Sequence, residues 1–501
     1  MSKEQTSNSK QAAWVAIGSL FSFIVGIVSP MILSRYFDKG DYGTYKQVMY
    51  VYNTLLTIFT LGLPKAYAYF IPKYSNEYSR AIINKVTSIF FILGIVFSAF
   101  LLLCAGPIAS VMKNPDLETA LILFSPTPFL LLPTMGLDAI YASFRKTKYL
   151  AYYTIFTRVF TVICIVLPVV IFSGDYTHAI IGFDIASLIT FVLALYLKTW
   201  PIRHENHKNT NLTYKEILSF SLPLLYASLW GLIIASSSQF FISRYFGNEV
   251  FAEFSNGFME FPLVGMIIGS ISTILLPLFS GLDKGVGMSD DVLSVWNSAM
   301  LKSAKLIFPI LVFSIFFAGL IMRCMYGDMY SNSSYYFIIK NFSGLFCIIP
   351  FYPIILAIGK TKAYANVHML IAILIVPLEW LACLICDSAI YVAIISELCH
   401  ILKIGLLMKV IANYANRSIA QLVHPGMLLK LLLLSVLASI FPYIIVNTIV
   451  LNKFLLLFIG FITFIVCYYV LCKFMKVSYK DTVNGIIGEN KLGKQFLRFV
   501  P

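Results

Sequence analysis

Charge is the scarcest property of this chain. Only 12% of its 501 residues are Asp, Glu, Lys or Arg, against 59% hydrophobic, and mean hydropathy reaches +0.84. Soluble domains carry about a quarter charged residues and are nearer half apolar, so this composition excludes a water-exposed globular fold and leaves a membrane protein. Polar stretches long enough to fold outside a bilayer are also missing, and every outer loop is expected to be short. No GxxxxGK[ST] loop or other nucleotide fingerprint occurs, which argues against ATP hydrolysis. The nine cysteines all lie within or beside apolar segments. Cys383-x-x-Cys386 has metal-like spacing but no second pair or suitably spaced His, so buried apolar thiols are expected, with no metal or cofactor.

Long apolar runs dominate what is present. A membrane-crossing helix needs about 20 mainly apolar residues. Such runs are expected near 12–34, 45–71, 84–108, 118–142, 150–173, 178–197, 216–242, 252–280, 302–322, 334–357, 364–386, 388–408, 427–449 and 452–472. The expected fold is an all-α polytopic membrane protein of about fourteen helices. The opening MSKEQTSNSK has no cleavable-signal form, and the run after it is too long for a signal core, so it is read as a retained first span.

Two internal echoes organise these runs. Ser34-Arg35-Tyr36-Phe37 returns as Ser243-Arg244-Tyr245-Phe246, and Tyr42-Gly43-Thr44-Tyr45 is answered by Phe251-Ala252-Glu253-Phe254 at the same offset of 209. Lys146-Thr147-Lys148 recurs as Lys360-Thr361-Lys362 at an offset of 214. The chain therefore reads as two six-helix repeats in parallel orientation. Parallel repeats in transporters enclose a midplane cavity and rock against one another. The expected division is a first lobe over 1–198, a cytoplasmic linker over 199–215, a second lobe over 216–411, an extra helix pair over 426–474 and a tail over 475–501. Segment 281–301 reads as a further inner loop or interfacial helix. The extra pair has no counterpart in either repeat.

Lys and Arg set the expected orientation, because they concentrate in cytoplasmic loops. Of the 37, 26 fall in one alternate set of loops and tails and seven in the other, which places both termini in the cytoplasm. The formal charge of +14 follows from the same asymmetry and is no sign of nucleic-acid binding.

Ionisable groups within spans cost about 2.5–3.5 kcal/mol each on insertion scales, so they usually face a cavity or a partner. Lys65 follows Gly62 and Pro64, a break typical of a helix lining a wet cavity; the plainer alternative is a lysine snorkelling to the interface. Arg158 lies about two turns into its span and could meet substrate or pair with Asp138 or Asp184. Glu260, ahead of Pro262 and Gly265, could titrate during transport or pair with Arg244. Arg35 and Arg244 end their helices, where a cation is favoured by the dipole; interface anchoring is the plainer reading, but Arg also binds phosphate oxygens bidentately. Lys340 is a further candidate, while Glu397, His400 and Lys403 are expected to pair among themselves. Arg35, Lys65, Asp138, Arg158, Asp184, Arg244, Glu260 and Lys340 thus form the expected cavity set.

Several of these segments also resemble a known family. LSRYFDKGDYGTY at 33–45 is similar to the first-loop pattern of bacterial polysaccharide flippases, and FRKTKYLAYYTI at 144–155 resembles their loop between the fourth and fifth helices. SFSLPLL at 219–225 with ISRYFGNEVFAEFS at 242–255 resembles the start of their second half. The family is the O-antigen and capsule flippase branch of the multidrug/oligosaccharidyl-lipid/polysaccharide exporter superfamily. The resemblance implies a two-lobed (MATE-like) bundle of twelve core helices around a V-shaped cavity. It further implies alternating-access transport of an undecaprenyl-pyrophosphate-linked oligosaccharide across the bacterial inner membrane, driven by a proton or sodium gradient, beside membrane lipids and a polysaccharide polymerase complex. A multidrug antiporter of the same superfamily is the alternative transporter, but the acidic residue expected of it is missing from 12–34. A membrane glycan polymerase or glycosyltransferase would need a sizeable outer loop. A passive scaffold in envelope assembly fits the embedded charges and the duplication poorly. No enzymatic activity is expected.

Overall fold

The computed structural model describes residues 8–203, 207–280 and 290–480. The first residues of the expected inner tail (1–7), part of the linker (204–206), part of the inner loop (281–289) and most of the C-terminal tail (481–501) lie outside the described residues. Every regular element among the described residues is helical. In hydrocarbon no water is available to the backbone, and a helix satisfies its own amides.

Among the described residues, twelve helices are long and apolar enough to cross a membrane. They occupy twelve of the fourteen expected runs. The run at 252–280 instead holds Pro262–Ser280, with Leu263–Leu275 as a shorter apolar stretch. The run at 334–357 is broken into Ser333–Gly344 and Phe351–Ala357, the second starting after Pro350. Asp290–Phe316 is one helix, so residues 290–301 extend a span where an inner loop or interfacial helix was expected. Val292, Leu293, Trp296, Met300, Ala304, Ile307 and Leu311 recur at helical spacing and are all buried, which explains the extension.

The chain divides into two compact units, Met1–Ala252 and Glu253–Pro501. In the first, aromatic rings pack between helices Lys39–Phe59 and Asn76–Met112: Phe59 stacks on Phe97 at 4.4 Å, and Tyr52 meets Phe97 and Phe124 at 5.9 and 5.2 Å. Each such pair contributes about 0.5–1.5 kcal/mol beyond buried area. That extra matters here, because lipid removes most of the hydrophobic drive between helices. Large apolar side chains such as Leu103, Phe172 and Ile171 are exposed, as lipid contact requires.

The described part of the linker is held against this unit. Lys208 pairs with Glu77 at 2.5 Å, and Lys85 donates to the carbonyls of Thr210 and Leu212 at 3.1 and 2.7 Å. The hydrogen bond to Glu77, with its charge, holds the Lys208 ammonium above its ordinary range.

In the second unit, the final pair Pro425–Thr448 and Lys453–Phe474 is part of the core. Leu431 and Leu434 join the cluster around Trp296, and Ala438, Val446 and Phe464 pack with Phe313 and Phe317. Beyond the last helix, Tyr479 Oη donates to Lys305 O at 2.8 Å while Lys305 Nζ donates to Ser478 O at 2.7 Å.

Candidate translocation site

In the first unit, helices Asn8–Tyr36 and Thr147–Phe172 run beside each other, and their small residues set the spacing. Gly18 faces Ala151, and Gln11 ties the two starts together: its Oε1 accepts from Thr147 N at 3.0 Å and its Nε2 donates to Arg145 O at 2.7 Å. Beyond this clamp the helices leave a groove of about 680 Å³, lined among others by Ser19, Ser22, Gly26, Thr154, Asp138 and Arg158. Its volume lies within the usual range for small-ligand sites.

Asp138 enters from the short helix Leu137–Ser143, whose start is set by left-handed Gly136. Arg158 stands eleven residues into its own helix. Both are exposed, and neither forms an ion pair within 4 Å with a described residue. The sequence leaves Arg158 paired with an aspartate or free for substrate. The structure brings Arg158 and Asp138 into one groove without joining them.

The other candidates in this unit sit elsewhere. Lys65 is exposed on Pro64–Lys73, just after the helix breaks at Leu61 and Gly62, both with positive φ. A side chain at Gly62 would be strained by its φ of +70° and crowded by Ser221 and Leu224. Asp184 is half-buried and accepts from Thr127 Oγ1, on a segment interrupted by Pro126 and Pro133. It lies on helix Tyr176–Thr199, which supplies none of the groove-lining residues.

Ser34 bonds within its own helix, to Met31 O at 3.1 Å, and Arg35 is exposed in the last turn. Ser243, on helix Tyr214–Gly257, accepts from buried Gln47 at 2.6 Å, and Arg244 donates to Val111 O. Asn114 joins this seam by donating to Gln47 Oε1 at 2.6 Å and to Thr44 at 2.9 Å. Gly43 permits the approach, since a Cβ there would strike the Asn248 backbone. Arg244 precedes the break at Gly247, so both arginines sit where a helix is about to stop or bend.

In the second unit, Glu260 is not within a helix. It is exposed in the stretch between Gly257 and Pro262, because proline suits a helix start and disfavours helical geometry in the residue before it. Lys340 pairs with Glu397 at 2.8 Å, and His400 Nδ1 lies 3.5 Å from the other carboxylate oxygen. Lys403 makes no ion pair within 4 Å with a described residue, so the expected mutual pairing holds for Glu397 and His400 but recruits Lys340 in its place.

One buried ammonium escapes sequence reading. Lys198 stands just past the run expected at 178–197, yet it is 2% exposed and donates to Tyr67 Oη at 2.9 Å and Thr87 Oγ1 at 3.2 Å. Its only forewarning is a position at the end of an apolar run. The seam at Gln47 and Asn114 gives no signal at all. Among the described residues no group of His, Cys, Asp and Glu is suited to a metal ion.

Comparison with known proteins adds to this geometry. The polysaccharide biosynthesis protein family matches residues 9–283. A Shigella flexneri protein that carries the name O-antigen transporter is 20% identical over 373 residues, covering 72% of this chain and 87% of its own. The structure of the lipid II flippase MurJ, in an inward closed conformation, superimposes with a TM-score of 0.71 at 16% identity, over 93% of this chain and 98% of that one. An inward-facing multidrug resistance MATE family transporter of the MOP superfamily gives 0.55 at 11% identity, over 81% and 99%. At these identities the two structures show a common fold, and the all-helical, MATE-like architecture is therefore established.

Proposed function

Because this chain belongs to the polysaccharide biosynthesis protein family, we propose that it is a flippase for a lipid-linked oligosaccharide. The observation that carries the reading is the first-unit groove, where Arg158 stands exposed and has no carboxylate partner within 4 Å among the described residues. A guanidinium held so has one economical use, which is to meet an anion that arrives from outside the chain. The anion we assign is the pyrophosphate that joins an undecaprenyl chain to its glycan. Arg binds such oxygens as a planar fork, offsetting part of the cost of removing the diphosphate from water. The glycan would lie among Ser19, Ser22 and Thr154 while the prenyl tail stays in lipid. Lys65, exposed at a helix break outside the groove, is a cation for the headgroup to meet elsewhere on its route.

Transport by alternating access, powered by a proton or sodium gradient, fits a chain without a nucleotide-binding motif. The distribution of Lys and Arg supports both termini in the cytoplasm of a bacterial inner membrane. The O-antigen name of the Shigella flexneri relative supports a surface-glycan pathway, in which a polymerase would consume the delivered product.

Deleting the gene in a strain without redundant flippases should strand the lipid-linked glycan on the cytoplasmic leaflet and deplete the surface polysaccharide. Normal surface glycan with no accumulated intermediate would overturn the assignment.

A further inference from the structure

A second set of ionisable groups lies in the other unit, apart from the groove. Ser333–Gly344 supplies Lys340 and Ser343, Cys347 follows it, and Ala389–Ala415 supplies Glu397 and His400 one turn apart. The Glu397 side chain is only 6% exposed, and both its oxygens are engaged. Lys340 Nζ lies 2.8 Å from Oε1; Ser343 Oγ donates to Oε2, and His400 Nδ1 stands 3.5 Å from that oxygen. His400 Nε2 faces Cys347 Sγ at 3.8 Å.

We infer that this cluster is a proton-binding site, in which a proton taken up at His400 frees Lys340 from Glu397 to meet an anionic headgroup. The inference takes its ligand from the flippase reading above, while the chemistry of the cluster stands by itself.

Each nitrogen of His400 has a partner in either protonation state. In the neutral ring, Nδ1–H points to Glu397 while Nε2 accepts from the Cys347 thiol. In the charged ring a new N–H bond forms at Nε2, the proton coming from water, and that N–H faces the sulfur as a weak acceptor. Uptake therefore needs no movement of heavy atoms around the ring. It does change the balance of charge. Lys340 and Glu397 together are neutral; with His400 charged, one carboxylate serves two cations.

Lys340 is the cation able to leave. Its stem is flexible, its side chain is 19% exposed, and its ammonium already lies 4.9 Å from the centre of the Phe258 ring. His400 is bound to the Glu397 helix and stays. The linkage runs both ways, because an anion that draws Lys340 off leaves Glu397 to hold the imidazolium more tightly.

Lys403, one turn past His400, opposes the added charge, and Glu260 bears on the same cluster with the opposite sign. His368, whose Nδ1 bonds Tyr364 O at 3.0 Å, contributes from Thr361–Ile385. Glu379 of that helix acts near Cys399, on another face.

The test uses the purified full chain in two formats. In unbuffered detergent solution, added inorganic pyrophosphate should draw about one proton per chain from the medium, and His400→Gln or Lys340→Gln should abolish this uptake. In proteoliposomes, flipping of a fluorescent polyprenyl-diphosphate disaccharide should rise about tenfold under an imposed pH gradient. His400→Gln should reduce that stimulation to less than about twofold. Glu397→Gln, checked for wild-type membrane level, should lose the stimulation too. Undiminished stimulation or proton uptake in His400→Gln overturns the proposal. Proton uptake without flipping in the wild type would leave the cluster standing and defeat the flippase reading instead.

Discussion

The two units hold the same kinds of charged residue in opposite conditions. In the first, Asp138 and Arg158 line one groove and are both exposed, yet they form no ion pair. In the second, Lys340 and Glu397 are locked together at 2.8 Å, with Ser343 and His400 closing the remaining oxygen. A separated pair keeps its capacity for an incoming ligand. A closed pair is satisfied by itself and changes only by exchange, when something replaces one member. Embedded charge alone therefore says little about role; the state of its partners decides it.

The widest expected difference lies in transport. Arg158→Gln should lower flipping about 10- to 100-fold, the cost of one charged hydrogen bond to the headgroup, with membrane level unchanged and partial rescue by Arg158→Lys. Equal activity would place the substrate elsewhere and remove the contrast. Next comes stability. Lys340→Met leaves Glu397 buried without its cation, a loss of about 3 kcal/mol, read as a lower melting temperature in detergent. Lys340→Met combined with Glu397→Leu should recover most of it. The same cycle on Asp138 and Arg158 should show coupling below about 0.5 kcal/mol; strong coupling would mean that the two do join.

Lys65→Ala should reduce flipping a few-fold, about 1 kcal/mol or less, since an exposed ammonium is well hydrated. The smallest effect concerns the cap of helix Tyr176–Thr199. Burial alone would raise the Asp175 carboxyl, but bonds from Thr177 and His178 outweigh it and hold it below the ordinary carboxylate value. Its stabilisation is thus present above the unfolded value and lost as pH falls through the folded one. Asp175→Asn should melt slightly lower than wild type near neutrality, and the two should converge in acid.

Much of the architecture was legible because lipid enforces it. Twelve of the expected runs are helices long enough to cross a membrane, and the breaks come at Gly62, Pro126 and Pro350, where helical geometry or an amide is missing. The interface between the candidate residues was far less legible. Asp138 and Arg158 were both named, yet nothing in their spacing said that they would share a groove. Lys198, just past the run expected at 178–197, is buried against Tyr67.

The repeated Ser-Arg-Tyr-Phe makes the limit plain. Four identical letters do not say that the second copy is fastened to Gln47 and Val111. By itself the sequence determined a helical membrane chain, the placement of most spans and the short list of embedded charges. Those follow from hydropathy and backbone sterics, which are local. Which charges pair, which stay open and which become buried was decided only by the tertiary structure, because partners such as Lys340 and Glu397 stand 57 residues apart and meet only when helices pack.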